Sequence, residues 1–246
     1  TPLVLSDDST QWRYNPTGQD LGEDWERSAH TVDSKNWFQG PAPLGFEPAT
    51  LPEAIRTPLN DPSDNNPRVN TYYFETEFTY AGKLADVGQL QLRHLIDDGA
   101  VFYLNGVELL RYNLPGKPGD PVSMNVLAST IVGDAMFVGP VSVSTKALVK
   151  GINRLSVEVH QRGAASSDIV MAIELTGQSM KEAEHQSKLS RPTVITNSIG
   201  MKLAAIADGQ FMMGSQDLKT GANEDETPQH RVTLSKPFYM GAYEVT

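Results

Sequence analysis

The chain has 246 residues, 39% of them hydrophobic and 20% charged, with a formal net charge of -10 at pH 7. Such a composition argues against wholesale disorder, and the excess of acidic groups argues against binding to nucleic-acid phosphates. The absence of cysteine excludes disulfides, thiolate nucleophiles and Cys-ligated zinc, and no apolar run is long enough to span a membrane.

From Trp12 to about Gly177 the sequence consists of short strand-like runs separated by turn residues. This spacing is typical of an antiparallel β-sandwich or jelly roll. One short helix is predicted at Ser144–Val149. The predicted strands are 71–80, 90–96, 100–104, 107–111, 135–143, 153–161 and 168–176.

Two of these runs carry specific predictions. Asn105-Gly106 lies between apolar runs and predicts a type I′ hairpin, because both of its central residues need positive φ. In the run 71–80 the side chains alternate, so Phe74, Thr76 and Phe78 share one face, which we expect to be buried. Glu75 and Glu77 then fall on the opposite face, which we expect to face solvent.

The order of several motifs resembles that of galactose-binding-like jelly-roll modules over residues 10–177. The resemblance implies a mainly β, galactose-binding-like sandwich over 1–178 that acts as a non-catalytic binding or accessory module for a glycan or cell-surface polysaccharide. It also implies an extracytoplasmic location, periplasmic or secreted. The motifs are Tyr14-Asn15, Gly18–Gly22, Trp25, Trp37, Gly40–Phe46, Thr71–Phe74, Asp97–Gly106, Gly151–Asn153 and Val157–Gln161.

Asp97-Asp98-Gly99 has two interpretations. Adjacent carboxylates offer hard oxygen ligands, so Asp97 and Asp98 are candidate ligands for calcium, and a similar pair in some sugar-binding sandwiches holds calcium and glycan together. In the alternative, the segment is a turn in which the Asp side chains cap backbone N–H groups and Gly99 takes positive φ.

The candidate ligand-binding residues are Trp37, Arg93, Glu158, His160 and Asp168. Arg93, Glu158 and His160 would form a polar patch if their strands pair, with Asp168 in the adjoining loop; the alternative is a solvated outer sheet face. Trp37 would stack on a sugar ring if it is exposed, and would otherwise close an end of the core. No catalytic residue is predicted, because no nucleophile elbow, phosphate-binding loop or His-Glu-x-x-His pair occurs.

Residues 179–193 are predicted to be a linker, and residues 194–246 resemble the start of the sulfatase-modifying-factor family, which includes formylglycine-generating enzymes. The resemblance implies an incomplete C-type-lectin-like α+β segment of a larger protein. Copper and a sulfatase substrate would concern only the missing downstream part. The motifs are Thr196–Leu203, Gly209–Ser215, Asp225–Val232 and Lys236–Thr246.

Three functions remain open at this point. The chain is a binding module, the amino-terminal half of a formylglycine-generating oxidase whose catalytic residues lie downstream, or a structural spacer. Three residues of this segment have side chains that can ligate a metal, but the resemblance gives them a structural role: Asp225, Glu226 and His230.

Overall fold

The computed structural model describes residues 1–64, 68–163, 166–183, 194–206, 209–214, 229–236 and 238–243. The chain divides into two compact units, Thr1–Ala183 and Glu184–Thr246. Within the described residues, no helix has the length and apolar character required to cross a membrane.

The first unit is a sandwich of two six-stranded sheets, so the predicted mainly β, antiparallel fold is confirmed. The first sheet has the order β10-β7-β12-β4-β5, with β1 also paired to β12, and the second has the order β3-β2-β6-β11-β8-β9. The strands are β1 Pro2–Val4, β2 Gln11–Asn15, β3 Phe38–Pro41, β4 Leu44–Phe46, β5 Thr57–Pro58, β6 Thr71–Tyr80, β7 Val87–Asp97, β8 Gly99–Leu104, β9 Val107–Tyr112, β10 Val138–Val143, β11 Gly151–His160 and β12 Ile169–Ser179. Short 3-10 helices lie at Trp25–Arg27, Pro62–Asp64 and Leu84–Asp86.

The core lies between the inner faces of the two sheets. Val157 of β11 is opposite both Phe74 of β6 and Phe102 of β8, and these three side chains are fully buried. Ile173 of the first sheet belongs to the same buried cluster. The predicted burial of one face of 71–80 is thereby confirmed, because alternation places its apolar residues toward the facing sheet.

The hairpin at Asn105-Gly106 is confirmed, with φ of 51° and 78° at the two residues. The Asn105 side chain also accepts from Arg154 N at 2.8 Å, which joins the hairpin to β11. The helix predicted at Ser144–Val149 is wrong, because this segment is a turn. Asn153 closes that turn, accepting from Val149 N and donating to Val149 O.

Part of the outer face of the second sheet is buried, so the predicted solvated face is correct for Glu77 but wrong for Glu75. Glu75 is fully buried, whereas Glu77 keeps 37% side-chain exposure. Glu158 and His160 of β11 are also buried. We name the group that covers part of this face the outer aromatic layer; it consists of Trp25, Trp37 and Tyr73, packed with Leu21 and Tyr103.

His94 of β7 is a buried histidine, and neither ring nitrogen has a hydrogen-bond partner in the part of the chain that the structure describes. Its ring lies 5.0 Å from that of Phe102 and 4.5 Å from that of Tyr112, between centroids. Burial lowers the pKa of His94 to about 4, because the charged ring would be desolvated.

Acidification is therefore expected to destabilise the protein through His94. Between the unfolded and folded pKa values the unfolded chain binds a proton that the native state does not, so the free energy of unfolding falls as pH decreases from about 6.5 to about 4, by ~3 kcal/mol in total. His94→Leu should remove this contribution. Denaturant titrations across that range measure it, and an identical pH dependence in both proteins would contradict the assignment.

The described residues of the second unit form a three-stranded and a two-stranded antiparallel sheet. The three-stranded sheet has the order β13-β14-β17, and β15 pairs with β16 in the two-stranded sheet. β15 lies within the motif Gly209–Ser215. The strands are β13 Val194–Thr196, β14 Lys202–Ile206, β15 Gly209–Met213, β16 His230–Leu234 and β17 Phe238–Gly241. Asp225, Glu226 and most of the predicted linker (184–193) lie outside the described residues.

Candidate functional site

Three carboxylates converge at one end of the sandwich, and we name them the carboxylate cluster: Glu47, Asp97 and Asp168. Oxygen atoms of all three lie within 4.8 Å of one another. Asp97 ends β7, Glu47 follows β4, and Asp168 precedes β12. Because β4 and β7 flank β12 and run antiparallel to it, their ends meet its beginning.

Asp97 is the central member of the cluster. Its side chain is fully buried, and neither carboxylate oxygen has a hydrogen-bond partner among the described residues. Glu47 Oε2 is likewise buried and unpaired, while its Oε1 accepts from Ala49 N at 2.7 Å. A buried carboxylate without a partner is costly unless it takes up a proton or a cation neutralises it.

Burial raises the pKa of Asp97 to about 9, and repulsion from Asp168, Asp98 and Glu47 adds to the effect. Burial also raises the pKa of Asp168 to about 6, with further contributions from Glu47 and Asp98. The two shifts have the same direction because each acid lies in a desolvated place among other acids.

These residues fit a calcium ion. Calcium takes hard oxygen ligands, commonly carboxylates, and the unpaired oxygens of Asp97 and Glu47 are donors of that kind. Glu47, Asp97 and Asp168 would hold the ion. When bound, calcium would supply positive charge to the cluster and coordination positions for oxygen atoms of a ligand.

Asp98 has a different role from Asp97, to which it is joined by a cis peptide bond. Asp98 Oδ1 accepts from Val132 N at 2.8 Å, and Oδ2 accepts from Arg162 N at 2.6 Å and from Ser166 Oγ at 3.3 Å. The predicted calcium pair is thus divided, because the Asp98 carboxylate satisfies backbone N–H groups of two loops, as in the capping alternative.

Gly99 does not take the positive φ that the turn alternative predicted. The residue instead begins β8, where a Cβ atom would lie 2.9 Å from Asn113 O and 3.1 Å from Ala128 Cβ. A glycine is needed here because the loop that follows β9 packs directly on the backbone.

A pocket of about 420 Å³ opens beside the cluster, and Asp168 belongs to both. Its lining includes aliphatic side chains, with Ile131 76% exposed, and the hydroxyl-bearing residues Ser166 and Ser167. Gln161 Nε2 donates to Asp168 O at 2.7 Å and so positions the loop that carries the carboxylate. The lining residues are Asp98, Ile131, Val132, Gly133, Arg162, Gly163, Ser166, Ser167 and Asp168.

The predicted polar patch of Arg93, Glu158 and His160 does not form. Arg93 is in β7 of the first sheet, where it bonds to Glu174 Oε2 at 3.1 Å and lies 3.8 Å above the ring of Phe137. Glu158 and His160 are in β11 of the second sheet. The prediction was wrong because β7 pairs with β10 and β12, not with β11.

Two of the predicted ligand residues have structural partners. His160 Nδ1 lies 2.7 Å from Val126 O, which can only accept, so Nδ1 carries the proton and joins β11 to the loop of Val126. Trp37 is 5% exposed and stacks on His30, with ring centroids 4.2 Å apart. Of the two alternatives for Trp37, the burial supports packing and not stacking on a sugar ring, because the residue belongs to the outer aromatic layer.

Sequence reasoning missed Glu47. A Cβ atom on Gly45 of β4 would lie 2.3 Å from Ile169 O, so β4 can approach β12 closely only with glycine there. That approach places Glu47, two residues later, beside Asp168. The motif Gly40–Phe46 contains this glycine, but the pairing partner of β4 decides which carboxylate it brings to the cluster.

No protein-family model matches the chain, and no curated protein matches it. Among solved structures, a β-glucuronidase of Ruminococcus gnavus is 12% identical with a TM-score of 0.44, covering 99% of this chain and 40% of that one. A β-glucuronidase of an uncultured Clostridium species is 13% identical with a TM-score of 0.41, covering 99% and 41%. A glycosyl hydrolase family 2 member of Bacteroides cellulosilyticus DSM 14838 is 12% identical with a TM-score of 0.40, covering 94% and 30%.

The chain thus spans less than half the length of each of these enzymes. Similarities of this size do not transfer an activity or a ligand to it.

Proposed function

We propose that the first unit is a calcium-dependent carbohydrate-binding module of the galactose-binding-like type. The observation that carries the proposal is the buried Asp97 carboxylate, whose oxygens have no hydrogen-bond partner among the described residues and lie with those of Glu47 and Asp168. A cation at this place relieves the burial of unpaired acid groups and leaves coordination positions for neighbouring hydroxyl groups of a sugar.

The pocket beside the cluster supports a neutral polar ligand. Ser166 and Ser167 contribute hydroxyl groups, and the aliphatic side chains of Ile131 and Val132 offer contact for the apolar face of a sugar ring. Both sides of the pocket are loops at one end of the sandwich, which is where binding residues of a rigid β scaffold commonly lie. The role is binding, and bond cleavage is not part of the proposal.

The location proposed for the module is outside the cytoplasm. Calcium sites of extracellular modules have dissociation constants of about 10⁻⁴ to 10⁻³ M. A cluster of three carboxylates is suited to binding calcium with an affinity in this range.

Binding of the full chain to a glycan array, in calcium and in EGTA, tests the proposal. We expect binding to galactose- or mannose-containing glycans in calcium and its loss in EGTA. Asp97→Asn should abolish binding, whereas Asp86→Asn, the same change at the opposite end of β7 on an exposed side chain, should not. Glycan binding that persists in EGTA would contradict the calcium requirement. Calcium binding without any glycan signal would favour the spacer alternative.

For the second unit, we propose the amino-terminal part of a sulfatase-modifying-factor domain. The proposal rests on its motifs alone, including Gly209–Met213, which forms β15. In this proposal the copper-binding cysteines of an active formylglycine-generating oxidase follow Thr246 in the parent protein. Sequencing the parent gene tests it, and a continuation without the rest of the family's motifs would contradict it.

A further inference from the structure

A second pocket, also of about 420 Å³, lies on the outer face of the second sheet. It shares no lining residue with the pocket beside the carboxylate cluster. We name it the outer-face pocket. It is formed by residues 22–27, the hairpin residues 106–108, residues 119–122, Tyr103 of β8 and Glu158 of β11.

The lining of the outer-face pocket is strongly acidic. Six of its residues carry carboxylates: Glu23, Asp24, Glu26, Glu108, Asp120 and Glu158. Two guanidinium groups face them, Arg27, which pairs with Asp24 at 3.0 Å, and Arg111, which pairs with Glu108 at 2.9 Å. The pocket therefore retains a net negative charge after its internal ion pairs are counted.

Glu158 is one of the six acids that line the pocket, and it is only 2% exposed. Tyr103 Oη donates to its Oε1 at 2.5 Å. Its other oxygen, Oε2, receives no hydrogen bond among the described residues, and His160 Nε2 lies 3.4 Å from it. A buried carboxylate with an unused acceptor oxygen at a pocket favours an N–H donor from a ligand.

Glu26 provides a second such acceptor. Its side chain is 11% exposed, and Arg27 Nε forms an ion pair with its Oε1 at 3.5 Å. No hydrogen bond from the described residues reaches the Glu26 carboxylate. Trp25 and Tyr103 line the same pocket and present aromatic surface, with ring centroids 6.3 Å apart.

The negative charges of these acids also affect the pKa of the Tyr103 phenol. Burial raises its pKa above the usual range, and the charges of Glu158, Glu108 and Glu26 raise it further. Three carboxylates therefore act on the same point of the pocket, where a cation would be stabilised.

We propose that the outer-face pocket binds a primary ammonium group, carried by an amino sugar or by an alkylamine. Carboxylates with unused acceptor oxygens select an N–H-bearing cation over a quaternary one, which has no proton to donate. The aromatic rings add a cation–π contribution to the same cation. The sequence predicted Glu158 as a glycan-binding residue in a patch with Arg93. In this proposal Glu158 instead binds an ammonium group in the outer-face pocket.

Titration of the full chain with glucosamine, N-acetylglucosamine and cadaverine, followed by NMR, tests the proposal. The readout is the indole N–H signal of Trp25, assigned with Trp25→Phe. Glucosamine or cadaverine should give saturable shifts at a pH at which the amine is protonated. N-acetylglucosamine, which keeps the ring but has no ammonium group, should not. Binding of glucosamine alone identifies an amino sugar as the ligand class, and binding of cadaverine alone identifies an alkylamine.

Matched variants locate the site. Glu158→Gln should weaken binding at least tenfold. Glu77→Gln removes one charge from the outer face of the same sheet, outside the pocket, and should leave binding within about twofold. Glu26→Gln serves if Glu158→Gln does not fold. EGTA should have no effect, which separates this site from the calcium site.

Three results would overturn the proposal. One is the absence of a saturable shift with both amines at about 10 mM, a concentration that detects a Kd near 1 mM. The second is equal binding of glucosamine and N-acetylglucosamine, which would show that the pocket does not recognise the ammonium group. The third is unchanged amine affinity in both Glu158→Gln and Glu26→Gln, which would place the binding outside the pocket.

Discussion

Calcium is expected to raise the Tm of the protein by roughly 5–10 °C, and Asp97→Asn is expected to lose this response. An ion at one hundred times its Kd stabilises the native state by about 2.7 kcal/mol. For a protein of this size each kcal/mol corresponds to about 2–4 °C. Asparagine keeps the shape of Asp97 but removes the charge that the ion would neutralise at the centre of the cluster.

The calcium response should also depend on pH. The folded pKa of Asp97, about 9, lies above its unfolded value, so without calcium this group's stabilising contribution is present at low pH and is lost as pH rises toward 9. Calcium displaces the protons of Asp97 and of Asp168, whose pKa is about 6. Stabilisation by calcium should therefore increase between about pH 6 and 9.

Thermal unfolding with and without calcium measures both effects. Asp86→Asn is the control, since Asp86 is exposed and lies at the other end of β7. A calcium response retained in Asp97→Asn would place the ion elsewhere. A response that decreases as pH rises would contradict the participation of Asp97 and Asp168.

Glu75→Ala is expected to lower the free energy of unfolding by about 3 kcal/mol or more, because it removes a buried carboxylate from a charged network. Glu75 accepts from Arg13 Nε at 2.6 Å, from His30 N at 2.8 Å and from His30 Nδ1 at 2.9 Å. His30 in turn stacks on Trp37. Loss of Glu75 should therefore loosen the outer aromatic layer as well as destabilise the sheet.

The pKa of Glu75 supports this network. Burial alone would raise it, but the hydrogen bonds from His30 and Arg13 outweigh burial and hold it below its usual range. The carboxylate is consequently stabilising above its unfolded pKa, and this contribution is lost as acid protonates it in the fold.

Glu77→Ala is the matched control, because Glu77 is on the same strand and face but is 37% exposed, and its ion pairs should contribute less than about 1 kcal/mol. Denaturant unfolding and tryptophan emission measure the two variants. A red shift in Glu75→Ala alone would confirm that Trp25 or Trp37 becomes exposed. Equal stability losses in the two variants would contradict the role of the buried network.

The sandwich could be predicted because its signals are local. Alternation in 71–80 marks the core face of that strand, and Asn105-Gly106 marks a hairpin by its need for positive φ. Asp97 and Asp168 were also visible as acids at the ends of apolar runs. None of these inferences requires knowing which strands are neighbours.

The rest depended on contacts between distant segments. Alternation shows that Glu75, Glu158 and His160 point away from the core, but not that loops cover that face and bury them. The order of strands in a sheet separates Arg93 from Glu158 and brings Glu47 beside Asp97, because β4 and β7 both pair with β12.

By itself, the sequence determined the class of fold and which acidic residues are available to form a site, because these follow from periodicity and residue type. Only the tertiary structure decided which acids are buried and which of their oxygens receive no hydrogen bond from the described residues, because that depends on sheet order and loop packing. It is this burial that distinguishes Asp97 in the carboxylate cluster and Glu158 in the outer-face pocket from the exposed acids of an acidic chain.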